Sequence, residues 1–129
     1  MTDDNRRTNA AAEGRRGDEC LAEAKYLLAG RFYNASVSRA YYAAFHWAQA
    51  LLLRKGLEPK THRGVIQLVQ LHYVEAGLLA SDAAAALGQL ETYRELSDYN
   101  AKADFDERRA ASEIRRAESF IAACRPLIA

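Results

Sequence analysis

The sequence has little proline, little cysteine and almost no excess of charge. Pro59 and Pro126 are the two prolines among 129 residues, and alanine is abundant, which favours helices over strands. Cys20 and Cys124 lie far apart and match no metal-binding or redox spacing, so we expect both to be reduced and packed. Eighteen Lys and Arg against seventeen Asp and Glu leave a net charge of +1. The net charge therefore does not attract the chain to nucleic acid, and binding to nucleic acid would need a local patch of positive charge.

The sequence also lacks long apolar runs and the motifs that mark common cofactor sites. Its uninterrupted apolar stretches are far shorter than a membrane span, and its N-terminus has no hydrophobic signal segment. We therefore expect a cytoplasmic protein that does not cross a membrane. There is no glycine-rich phosphate loop and no HExxH zinc motif. We expect no cofactor and no bound metal.

What the sequence does contain is helical periodicity. The stretch from Phe32 to Lys55 has no Gly or Pro, and Ala40, Ala44 and Ala48 recur in it at four-residue steps. This spacing predicts a long, largely buried helix. No segment shows the alternation that a strand requires. The sequence therefore predicts an all-α protein, an antiparallel up-and-down bundle of four to five helices.

Glycines, capping residues and the two prolines predict the boundaries of these helices. We expect a first helix that begins near Asp18 or a few residues earlier and ends at Gly30, and Thr61 as the N-cap of the third helix. The others span about 33–55, 62–76, 81–100 and from 106 onwards. Residues 1–14 mix charges, Asn and Thr without an apolar period. We predict that they form a flexible N-terminal tail and that residues 15–129 form one helical-bundle domain.

A second row of side chains on the long helix is polar. Arg39, Tyr42, His46 and Gln49 follow helical steps, and Arg39 and His46 are seven positions apart, which is about two turns or roughly 10 Å along the axis. Such a row either binds a ligand or is a solvated face bordered by a tyrosine. The spacing leaves both interpretations open.

Two further polar groups lie outside this helix. His62 and Arg63 open the third helix, where backbone N–H groups could hold a phosphate; the simpler interpretation, which we favour, is an exposed histidine at a helix start. Arg94 and Asp98 are four positions apart and can pair on one face of the fourth helix. That pair either stabilises the helix or holds an arginine beside a carboxylate and the phenol of Tyr99.

Several separated segments resemble the HEPN family of small prokaryotic helical proteins. They are the stretch GRFYNASVSRAYYAAFHWAQALLLRKGLEPKTHRGVIQLV (30–69), the stretch YRELSDYNAKADFD (93–106) and the closing AESFI helix. The resemblance implies an antiparallel bundle that forms a homodimer. Many members of the family are ribonuclease toxins, often encoded beside a minimal nucleotidyltransferase that acts as the antitoxin.

The resemblance also implies roles for particular residues. Ribonuclease members carry an arginine, then a histidine after four to six residues, then a tyrosine, and two such motifs face each other across the dimer. Here the corresponding segment is RELSDY, with Arg94 and Tyr99 but with Asp98 and no histidine. Arg39 and His46 have the spacing of this motif, but they lie on the earlier long helix rather than in the RELSDY segment. In paired members the tyrosine receives a nucleotide from the partner enzyme, and Tyr99 is the matching position.

Three functions follow from these patterns. The first is a homodimeric module paired with a nucleotidyltransferase, which binds nucleotide or RNA at the groove between subunits. The second is an active, metal-independent endoribonuclease toxin, and the third is a helical scaffold in which Tyr41, Tyr42 and Trp47 form an interface. The residues assigned to catalysis are Arg94, His46 and Arg39. Those assigned to binding are Asp98, Tyr99, Tyr42, His62 and Arg63.

Overall fold

A computed structural model describes residues 2–129, which form five α-helices and no strand. The helices are α1 (Asp3–Ala29), α2 (Tyr33–Arg54), α3 (His62–Val69), α4 (Ser81–Tyr99) and α5 (Glu107–Cys124). A π-helical segment (Gln70–Val74) continues α3, and a 3₁₀ turn (Arg125–Ile128) follows α5. The predicted antiparallel up-and-down helical bundle is confirmed. No helix in the described residues combines the length and the hydrophobicity that a membrane span requires.

The helix ends follow the expected capping chemistry where the sequence marks them. The Thr61 hydroxyl accepts a hydrogen bond from the Gly64 N–H at 2.9 Å, which makes Thr61 the N-cap of α3. Gly56 follows α2 with a φ of 76°, a left-handed conformation that glycine adopts without strain. The third helix is shorter than predicted, because Glu75 donates its N–H to Gln70, five residues back. Apolar spacing does not distinguish such a π-turn from α-helix.

The structure contradicts the predicted flexible tail. Helix α1 begins at Asp3 rather than near Asp18 and continues without a break through residue 14. The Thr2 hydroxyl caps it by accepting a hydrogen bond from the Asn5 N–H at 3.1 Å. Asp3 also forms an ion pair with Arg54 of α2 at 2.8 Å. Capping and pairing together account for an ordered helix start.

The buried residues in this part of α1 explain why sequence reasoning missed it. They are Ala10, Gly14 and Gly17, which carry little or no side chain and therefore give almost no hydrophobic signal. Their small size lets the backbone of α1 approach α2 closely. A Cβ atom on Gly17 would lie 2.6 Å from the Trp47 ring and 2.8 Å from the Ala43 carbonyl oxygen.

Helix α2 lies at the centre of the bundle. More than half of its residues are buried, Tyr41, Leu51 and Leu52 completely, and α1, α4 and α5 all pack against it. The Trp47 indole N–H donates to Asp18 at 3.0 Å. Arg125 lies 4.7 Å from the indole ring and donates twice to the same carboxylate. These contacts connect α1, α2 and the C-terminal 3₁₀ turn.

The start of α2 also holds the end of α4 in place. The Asn34 side chain donates to the Ala103 carbonyl at 2.8 Å and accepts from the Phe105 N–H at 3.0 Å. The Asn34 carbonyl accepts a hydrogen bond from the Ser97 hydroxyl at 2.7 Å. The last turn of α4, which carries Asp98 and Tyr99, is therefore fixed relative to α2.

The close approach of α1 and α2 gives a test of the fold. We expect Gly17→Ala to lower the free energy of unfolding by about 2 kcal/mol, because the new methyl group would collide with a backbone carbonyl that cannot move alone. Gly88→Ala is the matched control, since its Cβ would meet no atom within 4 Å. We expect that variant to gain about 0.5–1 kcal/mol from helix propensity. Urea unfolding followed by circular dichroism measures both, and a Gly17→Ala protein as stable as the parent would contradict this packing.

Candidate functional site

The side chain of Arg94 lies inside the protein, near the C-terminal end of α4. It is only 6% exposed. Its guanidinium carbon lies 5.1 Å from the ring centre of Tyr41, 5.9 Å from that of Tyr42 and 5.8 Å from that of Tyr99. Three aromatic rings from α2 and α4 therefore surround the cation, an arrangement in which ring quadrupoles attract the positive charge.

The polar contacts of Arg94 are long for a buried charge. Its hydrogen bond to the Tyr99 hydroxyl is 3.5 Å long, and its ion pairs with Asp98 and Glu91 measure 3.7 Å and 3.9 Å. Its Nε atom is buried and has no hydrogen-bond partner among residues 2–129. Buried polar groups are nearly always satisfied, and arginine normally binds a carboxylate or phosphate through short paired hydrogen bonds. The guanidinium therefore has unused capacity to bind an anion.

A tyrosine that the sequence did not assign to the site supports this arginine. The Tyr41 hydroxyl is 2.5 Å from Nδ1 of His62, and burial raises the pKa of Tyr41 well above its ordinary value. The phenol therefore stays protonated, and it forms a hydrogen bond with Nδ1 whose direction is set by the tautomer of the imidazole. The His62 ring also stacks on Phe45, with ring centres 4.3 Å apart. His62 is thus half-buried, and the expectation of an exposed histidine is wrong.

The start of α3 is less open to a phosphate than its sequence suggested. The Thr61 hydroxyl already accepts from the Gly64 N–H, and the Val65 N–H bonds the Thr61 carbonyl. Arg63 is exposed on the first turn. The Thr61 cap therefore occupies one of the otherwise free backbone donors of this turn, and anion binding by His62 and Arg63 stays a prediction.

Arg39 and Arg94 converge on one tyrosine. The Arg39 guanidinium lies 4.9 Å from the ring centre of Tyr42, the same ring that Arg94 approaches. Within the described residues no ion pair holds Arg39. The cation of α2 and the cation of α4 therefore flank a shared aromatic side chain within a single copy of the chain.

His46 lies in a cleft between α1 and α2 that also includes Arg39 and Tyr42. The cleft has a volume of about 320 Å³. Nδ1 of His46 is 2.6 Å from the Glu13 carboxylate. Sequence reasoning missed Glu13 because it placed residue 13 in a flexible tail. The helical spacing of Ala10, Gly14 and Gly17 is the signal that could have placed residue 13 on a helix.

Most of the residues assigned from the sequence thus lie in one region. We call the group around the buried guanidinium the Arg94 cluster; it consists of Arg39, Tyr42, Arg94, Asp98 and Tyr99. His62 is connected to this cluster by its hydrogen bond with Tyr41. His46 lies in the same cleft as Arg39 and Tyr42. The interface role suggested for Tyr41 and Trp47 is contradicted, because both rings are buried within the chain itself.

The five-helix bundle of the described residues places the chain among small all-α proteins. The family model of the HEPN domain matches residues 14–127. The chain therefore belongs to the HEPN domain family, as its sequence segments indicated.

Curated relatives cover most of the chain. A UPF0332 protein of Thermotoga maritima is 35% identical over 88% of this chain and 86% of its own length. The protein named "Putative toxin MJ0605" of Methanocaldococcus jannaschii is 38% identical over 81% of this chain and 77% of its own length. The crystal structure of TT1696 from Thermus thermophilus has the same fold, with a TM-score of 0.76, 19% identity, and coverage of 92% of this chain and 98% of that one.

The hydrogen bond between Tyr41 and His62 gives a test of the site's support. We expect Tyr41→Phe to lower the free energy of unfolding by about 1 kcal/mol, because the ring stays while His62 loses a buried hydrogen-bond partner. Tyr42→Phe is the matched control, since the Tyr42 hydroxyl has no hydrogen bond within residues 2–129; its effect should stay within about 0.5 kcal/mol. Urea titration measures both variants. Equal effects would show that the Tyr41 hydroxyl contributes nothing specific.

Proposed function

We propose that this HEPN protein is a component of a toxin–antitoxin system that binds RNA or a nucleotide, with Arg94 as the phosphate-binding residue. Membership of the HEPN family supports the class of protein. Two relatives from Methanocaldococcus jannaschii, 38% and 26% identical, are named as candidate toxins. The Arg94 cluster supports the choice of ligand.

The observation that carries this proposal is the incomplete pairing of a buried arginine. The hydrogen bond of Arg94 to Tyr99 is 3.5 Å long, its two ion pairs are longer still, and its Nε has no partner in the described residues. A phosphate that displaced the long contacts to Asp98 and Glu91 would form short, charge-assisted hydrogen bonds. Such bonds are stronger in a partly desolvated site than on an open surface.

The neighbouring aromatic groups suit a nucleotide better than free phosphate. Tyr99 is 78% exposed and lies directly beside the arginine. Exposed tyrosines provide stacking surfaces for unpaired bases. Arg39, which belongs to α2 and lies against the same Tyr42 ring, would contact a second phosphate. A single-stranded RNA or a nucleotide therefore fits this site.

The position of Tyr99 also favours regulation by a partner nucleotidyltransferase. Its side chain is exposed, and its hydroxyl is 3.5 Å from Arg94. A nucleotide added to this hydroxyl would place a phosphate next to the guanidinium and would fill the site. In our proposal the protein acts as a homodimer, and the exposed Leu96 and Tyr99 at the end of α4 lie close to the groove between the two copies.

The phosphate role of Arg94 gives a binding prediction. We expect Arg94→Gln to weaken binding of a short single-stranded RNA by about 10- to 100-fold, since a charge-assisted hydrogen bond is lost. The slope of log Kd against the logarithm of the salt concentration should also fall by about one, because one phosphate contact is lost. Fluorescence anisotropy at two or more salt concentrations measures both effects.

Arg108→Gln is the matched control for that experiment. Arg108 is exposed on the first turn of α5, so its loss removes the same charge from a different surface. We expect its RNA affinity to stay within about twofold of the parent, the range of a distant surface charge. Circular dichroism must show that both variants are folded. Equal loss in both variants would mean that binding is non-specific, and the proposed site would be wrong.

Nucleotide transfer gives a second prediction. We expect a nucleotidyltransferase encoded beside this gene, incubated with the protein and ATP, to add one nucleotide that intact-mass spectrometry detects. Tyr99→Phe should abolish the adduct because the accepting hydroxyl is gone. Tyr26→Phe should leave it unchanged, although Tyr26 is equally exposed at 81%. Failure to obtain either an adduct or a complex with the partner would refute regulation of this kind.

A second candidate function is metal-independent cleavage of RNA. The observation that favours it is the presence of His46 and Arg39 in one cleft, because a histidine can move a proton while an arginine stabilises phosphate charge. Toxicity on expression, relieved by His46→Ala, supports cleavage. Absence of toxicity in the parent counts against it.

A further inference from the structure

Phe32 is an exposed aromatic residue at the corner where the chain turns from α1 into α2. Its side chain is 64% exposed. The ring lies against Gly30, since a Cβ atom on that glycine would be 3.1 Å from it. Glycine has no side chain that could cover the ring further, so most of the ring stays in contact with water. Burial of apolar area therefore does not explain a phenylalanine at this position.

The turn that presents Phe32 does not use the residues that the backbone favours. Helix α1 ends in a Schellman motif, in which the N–H groups of Arg31 and Phe32 donate to carbonyl groups of the last helical turn. Glycine is usual at the left-handed position of this motif, but here Arg31 occupies it with a φ of 67°. Phe32 is the N-cap of α2 without a capping hydrogen bond, where Ser, Thr, Asp and Asn are preferred. Two adjacent exposed residues thus fit their positions poorly, as residues with a binding role often do.

Phe32 continues the polar face of α2. Ala35, Arg39 and Tyr42 follow it at steps of three and four residues, so they lie along one face of the helix. None of these four side chains is fully buried. Seven positions separate Phe32 from Arg39, which is roughly 10 Å along the helix axis. The exposed ring therefore lies about two turns from the cation of α2, on the same face.

The last turn of α4 reaches the same end of the bundle. The Asn34 carbonyl accepts a hydrogen bond from the Ser97 hydroxyl at 2.7 Å. Asn34 comes two residues after Phe32, and Ser97 comes two residues before Tyr99. The two exposed rings therefore belong to the helices that bring the arginines of the Arg94 cluster together. Exposed aromatic rings beside arginines are the elements with which proteins bind single strands of nucleic acid.

We propose that Phe32 is a base-stacking residue, and that the ligand of the site is therefore a single-stranded RNA of several nucleotides rather than a free nucleotide. This inference rests on the proposed function, because it takes the phosphate-binding role of Arg94 as its starting point. Arg94 binds one phosphate and one base stacks on Tyr99. The strand continues along α2 past Arg39, and a further base stacks on Phe32. A free nucleotide has a single base and cannot occupy both rings.

The first test compares Phe32→Leu with the parent, because leucine keeps an apolar side chain and removes the ring. We expect the Kd for a polyuridine of about eight nucleotides to rise about tenfold, the usual effect of losing one stacked base. The affinity for uridine monophosphate should stay within about twofold, since one base cannot use both rings. Phe32→Tyr, which keeps an aromatic ring, should bind both ligands like the parent. Fluorescence anisotropy measures the polyuridine, and competition measures the monophosphate.

The second test detects the stacking directly. Trp47 is only 2% exposed, so its emission provides a constant background that RNA should not change. Phe32→Trp places an indole at the exposed corner, where a stacked base would quench its fluorescence. We expect polyuridine to quench the emission of this variant in a saturable way and to leave the emission of the parent unchanged. Absence of quenching at saturating RNA would contradict stacking at this position.

Leu78→Ala is the control. Leu78 is 50% exposed and precedes α4, at the opposite end of that helix from Tyr99. Its loss removes an exposed apolar side chain from another surface, so its RNA affinity should stay within about twofold of the parent. Circular dichroism must show that all variants are folded. If Phe32→Leu binds polyuridine like the parent, or changes the oligomeric state in size-exclusion chromatography instead of the affinity, the inference is wrong.

The outcome is separable from that of the Arg94 experiment. Phe32→Leu should leave the salt dependence of Kd unchanged because it removes no phosphate contact. If Arg94→Gln weakens binding while Phe32→Leu does not, the inference alone is wrong. If the parent binds uridine monophosphate as tightly as polyuridine, the ligand is a nucleotide, so the inference fails and the proposed function stands. If Phe32→Leu weakens binding while Arg94→Gln does not, stacking is supported and the role of Arg94 is wrong.

Discussion

The close approach of α1 to α2 is the constraint on which the rest of the structure depends. Gly14 and Gly17 face Trp47 without side chains of their own, so the two helix backbones lie nearer than larger residues would permit. Helix α2 can then be covered by α1 while α4 and α5 pack against it elsewhere. The aromatic and leucine side chains that α2 buries, Tyr41, Trp47 and Leu51 among them, are of the size for which removal from water contributes most.

Burial of α2 also explains the character of the candidate site. Neighbouring residues on this helix have different surroundings: Tyr41 is completely buried, whereas Tyr42 is partly exposed. Tyr41 can therefore support Arg94 and His62 from within, while the partly exposed ring of Tyr42 lies against both the buried Arg94 and Arg39. Helix α2 therefore supplies core residues as well as an arginine and aromatic rings of the candidate site. The charge of Arg94 is retained in this position by ring faces rather than by a tight ion pair.

The grouping of the candidate site residues was partly predictable from the sequence. Helical spacing places Arg39, Tyr42 and His46 on one face of a helix, so the sequence could group them. It could also group Arg94, Asp98 and Tyr99, because they lie within two turns of one helix. Which groups meet across helices was not predictable. The contact of Arg94 with Tyr42, the hydrogen bond between Tyr41 and His62, and the pairing of Glu13 with His46 each join residues that are 21 or more positions apart.

The sequence by itself determined the helical class and most helix ends, because periodicity, capping residues and glycines act over a few neighbouring residues. It did not reveal the first half of α1, whose buried positions are alanine and glycine and whose stability comes from packing against a distant tryptophan. Only the tertiary structure decided that Arg94 is buried with incomplete partners and that Glu13 faces His46. Burial and pairing of charges depend on which helices become neighbours, and that is a property of the packed bundle rather than of any local segment.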